Sequence, residues 1–204
     1  MNVPCFWIEP TGQYVQFLRV FSTEHDCPAA AGAYCDARVF VGIVPEGGDH
    51  VTRMHDVAEY RDPRWPKACD RCGRAFHVKR SQRQLFHQRE MRVVRAMPGA
   101  ARAHQGEGAA IAGAMWDASW YGQNYQGPDG LHLMVMLPNG NEWLIDGRAN
   151  NCTMRDDHEH RCWVRHGEPP NVTVDKRGKT CAAGAGSIQS GSYHGFLRAG
   201  ALVE

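Results

Sequence analysis

Cys69-Asp70-Arg71-Cys72-Gly73 constrains this chain more than any other stretch. Two thiolates spaced C-x-x-C can grip one metal ion from a single tight turn. A glycine straight after the second cysteine can take the positive φ that lets backbone N–H groups point at the sulfurs. Phe76 follows, placed to cover an ion. Such a turn is half of a tetrahedral site, and Cys27 and Cys35 are the thiols upstream that could complete it. Cys27, Cys35, Cys69 and Cys72 therefore predict a structural zinc site resembling a zinc ribbon or knuckle. Four thiolates would close it and leave no position for a water. The upstream spacing is wider than the roughly two to four residues usual in such sites. His25 or His77 could replace one cysteine. The competing readings are buried free thiols, disulfides, or a Cys69–Cys72 redox pair.

The chain has 204 residues, of which 43% are hydrophobic and 22% charged, enough for a packed core and against wholesale disorder. The length suits one continuous domain or two small ones. The expected division is residues 1–112, β-rich with the C-x-x-C turn, and residues 113–204, with a β-hairpin and a Cys/His-rich region. Met1 to Pro10 has no basic start, and Glu9 and Pro10 interrupt its apolar run, so no secretory leader is expected. No window approaches the roughly 18 apolar residues that span a bilayer, so no membrane partner is expected. A reducing cytosol is the expected setting, where eight cysteines point to metal ligands before disulfides.

Two segments, Tyr14–Phe21 and Arg38–Val44, are β-branched and aromatic and predict strands; the second stops at Pro45. Ala29–Ala33 between them suits a loop or one helical turn. Residues 45–68 read as irregular connection. Leu85–Val94 fits neither period cleanly, and Phe86, Val93 and Val94 favour a strand. Pro98–Gly113 reads as a Gly/Ala-rich loop, followed by the aromatic group Trp116, Trp120, Tyr121 and Tyr125. Leu131–Leu137 and Glu142–Ile145 flank Pro138-Asn139-Gly140-Asn141, a β-hairpin with its turn residues in place. The expected fold is mainly β, with α+β the alternative: a small zinc-stabilised domain of β-hairpins, short helices and many loops.

A second set of ligand-type residues lies downstream. Cys152, His160, Cys162 and Cys181 would make another closed zinc site, with His158 an alternative nitrogen. A Cys152–Cys162 crosslink or packing beside Trp163 would explain the same residues. A different chemistry is also legible. Cys181 precedes a small-residue stretch and His194 follows, the order of some Cys/His hydrolases. Asp146, at a strand end, reads as a turn residue that bonds its own backbone.

Charge is unevenly spread. Residues 71–102 hold nine Lys/Arg against one acid, Glu90, although the whole chain is only +1. Such a segment could contact nucleic acid, with Arg80, Arg83 and Arg89 as contact residues. The favoured reading is a solvated β-surface, or a face that docks on the acidic part of another copy.

The downstream half resembles a family of uncharacterised proteins encoded by tailed bacteriophages. The residues that carry the likeness include Asn151-Cys152-Thr153-Met154, Arg161-Cys162-Trp163-Val164-Arg165-His166-Gly167-Glu168-Pro169-Pro170 and Thr180-Cys181-Ala182-Ala183-Gly184-Ala185-Gly186-Ser187. Pro63-Arg64-Trp65-Pro66 running into Cys72-Gly73 is similar to the upstream part of that family. The resemblance implies a phage origin and brings no activity or catalytic residues. The resulting expectation is a virion-associated structural protein, in head decoration, head–tail joining or a tail accessory. Its partners would be other virion proteins or copies of itself, met in the host cytoplasm before assembly. The aromatic group and the basic segment are the expected contact surfaces. A zinc-containing nucleic-acid-binding phage protein is the alternative, and a Cys181/His194 hydrolase the third reading.

Overall fold

The structure is a computed structural model that describes residues 1–30, 32–46, 62–100, 111–119, 125–158, 160–177, 181–183 and 186–204. The chain is nearly all β. In chain order the strands are β1 (Asn2–Pro4), β2 (Phe6–Ser22), β3 (Asp36–Pro45), β4 (Ser81–Ala96), β5 (Ala114–Asp117) and β6 (Leu133–Met136). They continue with β7 (Glu142–Leu144), β8 (Val164–His166), β9 (Thr173–Asp175), β10 (Ile188–Ser190), β11 (Tyr193–Arg198) and β12 (Ala201–Val203). The short helices expected beside the strands do not occur as α-helix among the described residues, and none there could cross a membrane.

The chain divides into two compact units, Met1–Glu9 with Met91–Glu204, and Pro10–Glu90. Residue 112, the boundary expected from sequence, lies within the first. Much of the connection 45–68 and of the loop 98–113 falls at residues 47–61 and 101–110, outside the described residues.

In the larger unit, β5, β6 and β7 form an antiparallel run, and Phe6 and Trp7 of β2 pair in parallel with Ala114 and Met115 of β5. These strands are covered on both faces, which explains a hydrophobic run where a half-exposed strand would alternate. Trp7, Met115, Leu133 and Val135 point into one cluster with Ile145, Ile188, Leu197 and Leu202. Phe6, Ile8, Trp116, Met134 and Met136 point into another. Successive residues go to opposite faces because the strand period is two. Trp116 is only 3% exposed in that second cluster. It is core rather than the contact surface expected of it, because its strand lies between two paired neighbours. The hairpin forms as its sequence predicts: Gly140 N–H donates to Leu137 O (2.9 Å) and Leu137 N–H to Asn141 O (2.9 Å). A four-stranded sheet runs in the order β1-β12-β11-β10, so the first and last strands pair with each other. β8 and β9 form a two-stranded ribbon.

In the smaller unit β2 pairs antiparallel with β3 from Gln13↔Pro45 to Phe21↔Asp36, with a register slip between Gln16 and Phe17, and β4 also pairs with β2. The expected strands at Tyr14–Phe21, Arg38–Val44 and Leu85–Val94 all lie within these elements. Among the described residues its apolar cluster has four buried members, Leu18, Val20, Trp65 and Leu85. Beside it Cys27, Cys35 and Cys69 form a separate buried group, with Cys72 and Phe76 packed on them.

Candidate metal centres

The first centre is built from two turns. In one, Ala30 N–H donates to Cys27 O (3.1 Å), Ala33 N–H to Ala30 O (3.0 Å) and Cys27 N–H to Ala33 O (3.1 Å). This is the loop or turn expected of the small-residue run, and it brings Cys27 back toward Cys35. In the other, Gly73 N–H donates to Cys69 O (2.9 Å) and Cys69 N–H to Arg74 O (2.9 Å). Gly73 has φ +71°, a conformation that side chains resist, so the glycine of the C-x-x-C-Gly turn is required by geometry. The two turns are tied together where Asp70 N–H donates to Asp36 O (3.1 Å).

The result is four sulfurs within 4.8 Å of one another, those of Cys27, Cys35, Cys69 and Cys72, with the first three buried. Cys35 Sγ and Cys72 Sγ are 3.6 Å apart. A tetrahedral ion with metal–sulfur bonds near 2.3 Å holds its sulfurs about 3.8 Å apart, whereas a disulfide needs about 2 Å. The site has the first spacing. All eight cysteines are free thiols, so neither the disulfide reading nor a Cys152–Cys162 crosslink is realised. Burial pushes the Cys69 thiol up, but backbone hydrogen bonds from Cys72, Arg71 and Asp36 outweigh it and bring the pKa down to about 6. Those bonds favour thiolate, the form that binds metal. Cys35 is pushed up to about 12 by burial, with hydrogen bonds among the four thiols adding to it. His25 and His77, considered as substitutes, are not in this group; His25 Nδ1 is 2.6 Å from Gly32 O.

The second centre joins Cys152, His160, Cys162 and Cys181, again with ligand atoms within 4.8 Å of one another. His160 Nε2 is 3.7 Å and Cys181 Sγ 3.8 Å from Cys162 Sγ. A tetrahedral ion would set these at about 3.6 and 3.8 Å. Burial pushes Cys162 up to about 11, opposed by the Ala149 N–H, which donates to its sulfur at 3.3 Å. Arginines hold the irregular loop that carries the ligands. Arg148 donates to the carbonyls of Met154 (2.8 Å), Arg155 (2.9 Å) and Asp157. Arg155 donates to Cys152 O (3.3 Å) and Asn150 O (3.1 Å), and Arg161 to His158 O (3.0 Å) and His160 O (2.9 Å). Lys176 Nζ fastens the carbonyls of Cys162 (3.0 Å) and Cys181. These bonds satisfy main-chain groups that no sheet pairs.

The structure thus gathers all eight metal candidates into the two expected foursomes. It also corrects two expectations. Cys181 turns toward Cys152, His160 and Cys162 rather than into a nucleophile–base pair, and His194 stands outside that group, exposed on β11. Asp146 is more than a turn residue. It is buried, and its Oδ1 accepts from Arg165 Nε at 2.8 Å. Arg165 also donates to both carboxylate oxygens of Asp129, one at 2.9 Å. Sequence reading missed Arg165, although Val164-Arg165-His166 places a charge at the inward position of a short strand. Gly127 leaves the room this cluster needs: a Cβ there would collide with Arg165 Nη2.

The basic segment is partly neutralised within its own unit. Arg74 pairs with Asp26 (2.8 Å), Arg80 with Glu24 (3.3 Å) and Arg89 with Glu46 (2.8 Å), while Arg83 lies over the Trp65 ring. Tyr125 is 39% exposed; Trp120 and Tyr121 lie outside the described residues. No family model, curated protein or solved structure matches this chain.

Proposed function

We propose that this chain is a zinc-stabilised contact protein of a phage virion, acting by binding other virion proteins or copies of itself. The observation that carries the reading is that both four-residue clusters are closed. Cysteine-rich sets of four favour zinc over harder ions, and four protein ligands complete its tetrahedron. Cys27, Cys35, Cys69 and Cys72 would hold one ion, and Cys152, His160, Cys162 and Cys181 the other. Zinc in such sites supplies folding free energy rather than an activated water. The contact role is supported by apolar side chains left outside: Phe40 and Ile43 on β3 are 56% and 51% exposed, and Val93 and Val94 on β4 are 41% and 45% exposed. A phage setting is supported by the resemblance drawn from the downstream sequence.

Two measurements test this. Elemental analysis of unchelated protein is expected to find two zinc ions per chain, and none would end the zinc reading. Mass spectrometry of purified virions is expected to find the chain at stoichiometric copy number. Its absence from virions, with abundance early in infection, would overturn the virion role.

A further inference from the structure

We propose that a cleft beside the second metal centre binds a nucleoside phosphate, with the base against an aromatic wall and the phosphate among arginines. Two adjoining cavities of about 680 and 710 Å³ share Tyr125, Arg148, Ala149 and Asn150 as borders. Both fall within the size range of small-molecule sites. The first is walled by Trp143 and Trp163, whose rings are tilted by 36° with centroids 5.4 Å apart, with Tyr125 at the shared rim. The second is lined by Arg148, Arg155, His158 and Arg161. No carboxylate is among the described residues lining either cavity.

These arginines differ from those that are held by carboxylates. Arg19, Arg74, Arg80, Arg89 and Arg165 each face a carboxylate. Among the described residues, Arg148, Arg155 and Arg161 make hydrogen bonds only to main-chain carbonyls, and none is in an ion pair. A carbonyl fixes a guanidinium in place without cancelling its charge, and each guanidinium has more N–H donors than these bonds use. Three guanidinium groups held in one concavity, with Asp146 acting on Arg161 only at longer range, make a field that attracts an anion with several acceptor oxygens. A π-surface beside them adds stacking for a planar group, and a nucleoside phosphate has both parts. The source is either a free nucleotide or one residue of a single strand, and the two are separable by experiment.

The test is tryptophan fluorescence of the zinc-loaded full chain, titrated with AMP, an oligo(dA) of about ten nucleotides, adenosine and inorganic phosphate. AMP and the oligonucleotide are expected to bind competitively, with adenosine and phosphate each weaker by at least about fivefold, since stacking and phosphate contacts both contribute. Tighter binding of the oligonucleotide than of AMP assigns the source to a single strand; equal binding assigns it to a free nucleotide. Tyr125→Ala and Arg155→Gln should each weaken AMP at least about fivefold while keeping two zinc ions per chain. Arg155 also braces the metal loop, so Tyr125→Ala at the exposed rim is the variant that decides if Arg155→Gln loses zinc. Failure of AMP and the oligonucleotide to bind, phosphate binding as tightly as AMP, or full AMP affinity in Tyr125→Ala would each overturn the proposal.

Discussion

The two units solve the same problem with different means. The larger encloses β5 and β6 between two apolar clusters, so that Leu133 and Met134, adjacent in sequence, are both buried. Among the described residues the smaller has four buried members in its apolar cluster, and its sulfur group forms a separate cluster. From this contrast we expect the larger unit to fold on its core, with a bound ion fastening a loop. We expect the smaller unit to need a bound ion to fold. The placement of ligands agrees: the second set lies on irregular chain held by Arg148, Arg155 and Lys176, whereas the first ties the β2–β3 connection to the C-x-x-C turn.

The largest effect expected from this contrast is that of Cys72→Ser. Zinc-finger peptides lose about 10–16 kcal/mol of metal-linked folding energy without their ion, so the smaller unit should fail to fold while the larger remains structured. Near-ultraviolet circular dichroism and limited proteolysis would show this as a stable fragment retaining Met91–Glu204. Cys162→Ser makes the opposite case. The larger unit should lose one zinc and become less stable by more than about 4 kcal/mol, the exceptional range for a single substitution, yet keep its sheets. If that variant unfolded the larger unit at room temperature, the division between core-held and metal-held units would fail.

Next in size is Arg165→Ala, which strands Asp146 without its partner and should cost about 3–5 kcal/mol in chemical denaturation. The same cluster gives a pH dependence of definite sign. Burial raises the Asp129 carboxyl, but hydrogen bonds from Arg165 and the Leu131 N–H hold it below the ordinary range. Its contribution is therefore complete above the unfolded pKa, about 3.9, and is lost as pH falls through the lower folded value. Asp146 is shifted the other way, chiefly by burial against the opposing pull of Arg165, so the folded state takes up its proton first, a gain that opposes the loss at Asp129. Asp129→Asn should flatten the acid limb of the stability curve; an unchanged limb would show that the pair contributes nothing there. The smallest effect is expected at Arg80→Ala, whose ion pair is exposed on both sides and should contribute about 0–1 kcal/mol.

How much of this was legible in the sequence follows the range of each interaction. The C-x-x-C-Gly turn and the Asn139-Gly140 hairpin are local, and both formed as read. The strands Tyr14–Phe21 and Arg38–Val44 carried β-branched and aromatic residues dense enough to be recognised. The candidate ligand sets were legible because cysteine and histidine are chemically specific, even though nothing in the spacing of Cys152, His160, Cys162 and Cys181 resembles a finger. What escaped was long-range. Arg165 reaches Asp129 across 36 residues, and charged residues read as surface unless their partners are known. Trp116 reads as contact surface because pairing on both sides of its strand, parallel to Phe6–Trp7 and antiparallel to Leu133–Val135, is invisible to a local pattern.

Hydrogen–deuterium exchange of the full chain, zinc-loaded and then chelator-stripped, tests the central claim most directly. The account predicts that stripping abolishes protection in β3 and in β2 from Gln13 to Phe21, while β5, β6 and β11 stay protected. Equal loss of protection in both units, or retained protection at β3 after the metal is gone, would contradict it.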